Sequence, residues 1–203
     1  MLELVVFLLN GVILATCIGS NVVRGGRTFA MRATYAFRHL TLWSMAVQTA
    51  AFSPWGRDTV FEDATVGLST FVGLFFWTFV IADPALLMNR AVRSRRRAVR
   101  ASLFWPTSVR TLVAFLFLHH AHTFTFIVPF LARARFAHVA PARAAVAALA
   151  IFWPYATWNF VCWRIRGEPT YPVQRRMQPF AGYLLGAVGI ALAAVGGALA
   201  MRS

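Results

Sequence analysis

The sequence contains no lysine, few acidic residues and few cysteines. All 20 basic side chains of the 203-residue chain are arginine, against six Asp and Glu residues and two Cys. Cys17 and Cys162 each lie inside an apolar block, which excludes a disulfide framework and a four-cysteine metal site. The shortage of carboxylates also disfavours a metal centre that needs acidic ligands.

Long apolar runs dominate what is present. Hydrophobic residues make up 59% of the chain, and they cluster in blocks of about 20 residues, enough to cross a hydrocarbon core of roughly 30 Å. Blocks without period-two alternation indicate helices rather than a barrel. The sequence therefore predicts an integral, multi-pass, all-α membrane protein, a single domain (1–203) built as a bundle of about six transmembrane helices. The predicted spans are 2–23, 35–52, 65–82, 111–131, 144–163 and 179–201.

Most arginines lie in the first, third and fifth loops between these spans. Basic residues near span ends favour the cytoplasmic side, so both termini are predicted to face away from the cytoplasm. The run "NRAVRSRRRAVR" (89–100) is typical of a solvated loop that binds lipid headgroups. The positive charge is thus explained by topology and membrane lipids, and we expect no nucleic-acid partner.

Polar residues inside the second span form one stripe. In "HLTLWSMAVQTAAF", Thr41, Ser44 and Gln48 are spaced i, i+3 and i+7, which places them on one face of a helix. Such residues often only hydrogen-bond to backbone carbonyls or join neighbouring helices. The stripe must nevertheless face protein or a cavity rather than lipid.

The fourth span contains three histidines in "LFLHHAHTFTF". His119 and His122 are three residues apart and share a face, whereas His120 points about 100° away. An ionisable residue inside a membrane span indicates function by default, because its insertion is costly. Two of these histidines can therefore serve one site.

Two chemistries fit these side chains. A haem held between His39 and a histidine of the fourth span is one. The other is acyl transfer, in which His122 accepts a proton from the hydroxyl of Thr41, since the unperturbed pKa of histidine is about 6.5. Helical rise places His122 about 16 Å and Thr41 about 9 Å into their spans, so tilt or a later start of the fourth helix must account for the difference.

Four segments together resemble a known family. "LTLWSMAVQTAAF" (40–52), "FWTFVIAD" (76–83), "HHAHT" (119–123) and "VCWRIRGEPTYPV" (161–173) are similar, in this order, to motifs of the androgen-induced gene one family, which includes the androgen-dependent TFPI-regulating protein. The resemblance implies a multispanning threonine hydrolase that cleaves fatty acid esters of hydroxy fatty acids, with no cofactor and no metal. It places the nucleophile on Thr41 and the catalytic histidine on His122. Pro129, seven residues after His122, departs from the family pattern.

Supporting roles follow from the same interpretation. His119 is a candidate to orient His122, Asp83 a candidate third member, and Ser44 or Gln48 candidate donors to the oxyanion. An arginine at the cytoplasmic mouth would bind a lipid carboxylate, because a guanidinium forms a bidentate fork; the candidates are Arg38 and Arg110. The alternatives are a haem- or metal-binding redox protein and a lipid-binding or transport protein without catalysis. The sequence does not indicate an oligomeric state.

Overall fold

The computed structural model describes residues 2–24, 28–82 and 125–203. Within these residues every regular element is helical, as predicted. The helices are α1 (Leu2–Arg24), α2 (Phe29–Ala36), α3 (Leu40–Ala51), α4 (Val60–Ala82), α5 (Thr125–Leu131), α6 (Arg133–Phe136), α7 (Pro141–Arg166) and α8 (Pro179–Arg202). A short 3-10 helix, Pro172–Arg176, lies between α7 and α8.

Three of the described helices are long and apolar enough to cross a bilayer. They are α4 over Val60–Phe79, α7 with 26 residues and α8 with 24 residues. The apolar part of α1, Glu3–Gly19, is shorter. The prediction of an all-α membrane protein is therefore confirmed, and the predicted count of six spans is approximate.

The prediction of one continuous helix over 35–52 is wrong. α2 ends at Ala36 and α3 begins at Leu40, with an extended His39 between them. α3 has 12 residues, about 18 Å of helix, which is too short to cross roughly 30 Å of hydrocarbon alone. The break is stabilised because Asn159 Nδ2 donates a hydrogen bond to the carbonyl of Arg38, at 3.0 Å.

The central packing unit consists of α4, α7 and α8, which contact one another pairwise. Gly67 lies where they meet: a Cβ there would fall 2.7 Å from the Cβ atoms of both Ala148 and Ala194. Small residues thus let the three backbones approach closely, as is common between membrane helices. α3 covers α4, and α1 packs against α2 and α3.

An arginine-centred cluster closes one end of the bundle. Arg135 Nε donates to the buried Glu62, its Nη2 donates to the carbonyl of Ala51, and its Nη1 lies 2.8 Å from Glu3 Oε2. Arg143 binds Asp63 nearby, with Nη2 to Oδ2 at 2.9 Å. The start of α1, the end of α3, the start of α4 and α6 therefore share this end, which explains why the loop before α7 is basic.

The opposite end joins α2 to the last turns of α7. Cys162 Sγ donates to the carbonyl of Thr34 at 3.4 Å, and Arg166 Nη1 donates to the carbonyl of Met31 at 3.2 Å. α7 ends at Arg166, and the next residue, Gly167, caps it in a left-handed conformation with φ of 71°. The first and fifth loops thus lie together, as alternation between two membrane faces requires.

Candidate functional site

A cavity of about 490 Å³ lies among the start of α3, α4, α7, α8 and the loop before α8. Its wall is largely aromatic, with Phe71, Phe75 and Phe79 from α4 and Phe152 and Tyr155 from α7. A hydrocarbon ligand fits such a wall, and the polar groups that interrupt it would fix the ligand's orientation.

Thr41 is one of those polar groups. It is the second residue of α3, directly after the helix break, and it lines the cavity with only 3% of its surface exposed. His39, the residue before the helix, lines the same cavity. The break therefore brings a hydroxyl and an imidazole to one wall, where a continuous helix would give a different arrangement.

The rest of the predicted polar stripe has other surroundings. The Gln48 carbonyl oxygen accepts a hydrogen bond from Asn10 Nδ2 at 3.0 Å, and its Nε2 donates to the carbonyl of Thr125 at 3.2 Å. Both ends of this amide are thus engaged in joining α1, α3 and α5. Ser44 is completely buried, and within the described part of the chain its hydroxyl has no hydrogen-bond partner.

Arg38 lies beside the cavity, with its side chain directed at an aromatic ring. Its guanidinium carbon is 4.0 Å from the ring centroid of Tyr35, and its Nε donates to His39 Nε2 at 3.2 Å. Only 8% of the residue is exposed, a degree of burial that is rare for arginine. Its predicted role in binding a lipid carboxylate stays a prediction.

Two tyrosines hold the start of α3. Tyr155 packs edge-on against Trp43 of α3, with ring centroids 6.0 Å apart, and its hydroxyl accepts a hydrogen bond from Asn159 Nδ2 at 3.3 Å. The ring of His39 packs edge-on against Tyr171, with centroids 5.8 Å apart. Burial raises the pKa of Tyr171, so its hydroxyl remains protonated near neutral pH and can donate a hydrogen bond.

Asn159 connects this region to the rest of the cavity wall. Its Nδ2 donates to the carbonyl of Arg38 and to Thr170 Oγ1, at 3.0 and 2.8 Å. Its Oδ1 accepts from Gln174 Nε2 and from the Tyr183 hydroxyl, at 3.0 and 2.8 Å. Asn159 was not among the residues predicted from the sequence. An asparagine in the apolar run "ATWNFVCW" is the signal that would have found it.

The family model of FAR-17a/AIG1-like proteins matches residues 27–200. The chain belongs to the FAR-17a/AIG1-like family. This match confirms the resemblance that the four sequence segments predicted. No curated protein and no solved structure matches the chain. The matched range includes Thr41, Asn159 and all the helices that form the wall of the cavity in this FAR-17a/AIG1-like protein.

Several residues predicted for this FAR-17a/AIG1-like site lie outside the described residues. They are the histidines of the fourth span, His119 and His122, together with Asp83 and Arg110. Their roles remain predictions. Among the described candidates, the structure places Thr41 on the cavity wall and Gln48 in a contact between helices.

One group of possible metal ligands occurs among the described residues. Asp58, Glu62 and His138 offer ligand atoms within 4.8 Å of one another. They lie at the Arg135 end of the bundle, where Glu62 accepts hydrogen bonds from Arg135 and from the backbone of Asp58. A neighbouring guanidinium opposes cation binding. This group therefore belongs to the ion-pair cluster and not to the cavity.

Proposed function

We propose that this FAR-17a/AIG1-like protein is an intramembrane hydrolase of lipid esters, with Thr41 as the nucleophile and His122 as the base. The substrate class is a fatty acyl ester, of which fatty acid esters of hydroxy fatty acids are the form that the family resemblance suggests. The observation that carries the proposal is the buried Thr41 on the wall of an aromatic cavity of about 490 Å³. A fatty acyl ester brings a hydrocarbon chain to this wall and a carbonyl to this hydroxyl.

The reaction follows the general scheme of covalent acyl transfer. Thr41 Oγ1 attacks the carbonyl carbon of the ester while His122 accepts the Oγ1 proton. The bond to the alcohol breaks, the alcohol takes the proton from His122, and an acyl-threonine remains. Water then attacks this ester as His122 accepts a proton, and the acid leaves as the proton returns to Thr41 Oγ1.

The environment of Ser44 and Gln48 bears on how the oxyanion is stabilised. Gln48 already uses its Nε2 to bind the carbonyl of Thr125, so donation to substrate would break a contact between helices. Ser44 is one turn beyond Thr41, is fully buried, and has no hydrogen-bond partner among the described residues. The Ser44 hydroxyl could donate without breaking a described contact, but Ser44 is not among the described residues that line the cavity, so its role as oxyanion donor stays a prediction.

A fluorophosphonate probe tests the nucleophile. Wild-type protein should be labelled and should hydrolyse nitrophenyl esters of fatty acids, whereas Thr41→Ala should lose labelling and at least about 1,000-fold in kcat/KM. His122→Ala should lose both to a similar extent. Thr49→Ala is the matched control, because Thr49 lies on the same helix and its hydroxyl donates to the carbonyl of Met45 at 2.7 Å.

Two results would overturn the proposal. One is hydrolysis by Thr41→Ala at the wild-type rate. The other is lipid binding by the wild-type protein without probe labelling or turnover, which would indicate a lipid-binding or transport protein. A Soret absorption band in the purified protein would instead support the haem alternative, with His39 as a candidate ligand.

A further inference from the structure

Two stripes of contrasting size line the cavity. Phe71, Phe75 and Phe79 repeat every four residues along α4, with ring centroids 5.3 Å apart for the first pair and 4.5 Å for the second. On α8, Gly186 and Gly189 also line the cavity, one turn apart. The wall therefore consists of flat rings on α4 and of bare backbone on α8.

The cavity is already narrow at Gly186 and Gly189. A Cβ on Gly186 would lie 3.0 Å from Phe152 Cζ, and a Cβ on Gly189 would lie 2.8 Å from Phe71 Cε2. Both distances are below ordinary van der Waals contact, so any side chain must displace a ring. These positions consequently set how wide the inner end of the cavity is.

Hydrogen bonds fix the depth of these glycines relative to Thr41. The Tyr183 hydroxyl donates to Asn159, which donates to the carbonyl of Arg38, so Tyr183 is level with the chain just before Thr41. Gly189 is six residues further along α8, about 9 Å of helix. The cavity thus continues inward beyond Thr41 as an arm that ends between Gly189 and Phe71.

A second cavity, more open than the first, adjoins the inner arm. It has a volume of about 620 Å³ and shares Phe71, Phe75, Phe79 and Gly189 with the first. The phenylalanine rings therefore separate the two cavities. In the wild type, Phe71 closes the end of the inner arm. Removal of its ring would connect the two spaces and lengthen the arm.

We propose that the inner arm binds a single unbranched acyl chain, and that Gly186, Gly189 and Phe71 set the chain length it accepts. The position of the ester at Thr41 rests on the proposed function. The inner arm is lined by phenyl rings and by glycine backbone whose polar groups are already hydrogen-bonded within α8. It therefore suits a chain without polar groups. Each methylene that enters the arm raises the affinity about fourfold. The length of the arm therefore determines which chain length binds best.

Nitrophenyl esters of butyric, octanoic and palmitic acid test the length preference. Gly186→Leu and Gly189→Leu should lower kcat/KM for the palmitate ester at least ~10-fold relative to the butyrate ester, because about two excluded methylenes suffice for that factor. Gly186→Ala should shift the preference in the same direction by a smaller factor. Phe71→Ala should shift it towards palmitate. Gly19→Leu on α1 is the control, since a Cβ at Gly19 meets nothing within 4 Å and no residue of α1 is among the described residues that line either cavity.

Equilibrium binding of radiolabelled fatty acids separates this proposal from the hydrolase proposal. In a Thr41→Ala background, Gly186→Leu should weaken binding of palmitate about 10-fold while it leaves binding of butyrate, which is too short to pass Gly186, within about twofold. If the wild type hydrolyses no ester but these binding changes occur, the hydrolase proposal fails and the chain site stands. If Gly186→Leu, Gly189→Leu and Phe71→Ala retain the wild-type order of chain preference in hydrolysis, and Gly186→Leu also retains it in binding, the chain site is overturned.

Discussion

Asn159 and Gln48 are both fully buried amides, yet they connect different parts of the molecule. Gln48 joins α1, α3 and α5 through Asn10 and the carbonyl of Thr125. Asn159 instead gathers groups from the helix break, the loop before α8 and α8 itself. At the residue scale, the position of Thr41 therefore depends on an asparagine that contacts the chain three residues before it.

Asn159→Ala should destabilise the protein by about 2 kcal/mol, because several partners lose their hydrogen bonds while each bond between membrane helices contributes only modestly. The measurement is the free energy of unfolding in detergent micelles. Thr157→Ala is the control, since Thr157 lies on the same helix with its side chain exposed. Equal stability of the two variants would contradict the view that Asn159 holds the helix break.

At the element scale, the length of the apolar blocks predicted the bounds of some helices closely. It failed at the helix break before α3, which a residue distant in sequence stabilises. The first and last predicted spans, 2–23 and 179–201, match α1 and α8 within a residue or two. The break before α3 was not predictable, because its stabilising partner, Asn159, is 121 residues from Arg38 in sequence. The polar stripe did predict that Thr41 faces protein or a cavity, as it does.

The cavity could not be predicted from the sequence, for a related reason. Phenylalanines on α4 and glycines on α8 have the same composition as helix surfaces that face lipid or pack tightly. Only the relative placement of the two helices, fixed by close contact at Gly67, shows that Phe71 and Gly189 face each other. The histidines of the fourth span lie outside the described residues, so their prediction rests on spacing and resemblance.

Buried ion pairs hold the start of α4 in place. Glu62 is 1% exposed in the first turn of the helix and binds Arg135, which also binds the end of α3. Glu62→Gln should lower the free energy of unfolding by about 3 kcal/mol, because it leaves a buried guanidinium without its nearest counter-charge. Glu168→Gln is the control, since its pair with Arg175 is partly exposed at 3.8 Å and contributes at most about 1 kcal/mol.

Thermal or denaturant unfolding of the two variants in the same detergent gives the comparison. A larger loss for the Glu62 variant than for the Glu168 variant is expected at low salt and at high salt, because burial protects the Glu62 pair from screening. If both variants lose the same amount, the cluster does not anchor α4.

For the whole molecule, the contacts at the two ends determine a topology. Glu3 at the start of α1 binds Arg57 in the loop after α3, at 3.1 Å, so the amino terminus and that loop share one face. α8 contacts α6 at that face, and α8 starts from the loop at the other face, so the end of α8 lies at the same face as Glu3. The loop before α8 lies at the other face, and the arginine distribution predicts that this other face is cytoplasmic.

Cysteine accessibility tests that arrangement. With the two native thiols, Cys17 and Cys162, replaced by alanine, single cysteines at Trp55 and Ser203 should react with a membrane-impermeant maleimide added outside intact cells. A cysteine at Arg176 should react only after permeabilisation, because Arg176 lies in the loop at the opposite end. All three positions are exposed, so a missing reaction reflects the side of the membrane rather than burial. Labelling of Trp55 and Ser203 from opposite sides would mean that the chain crosses the bilayer an odd number of times between these two positions, and it would contradict the shared face.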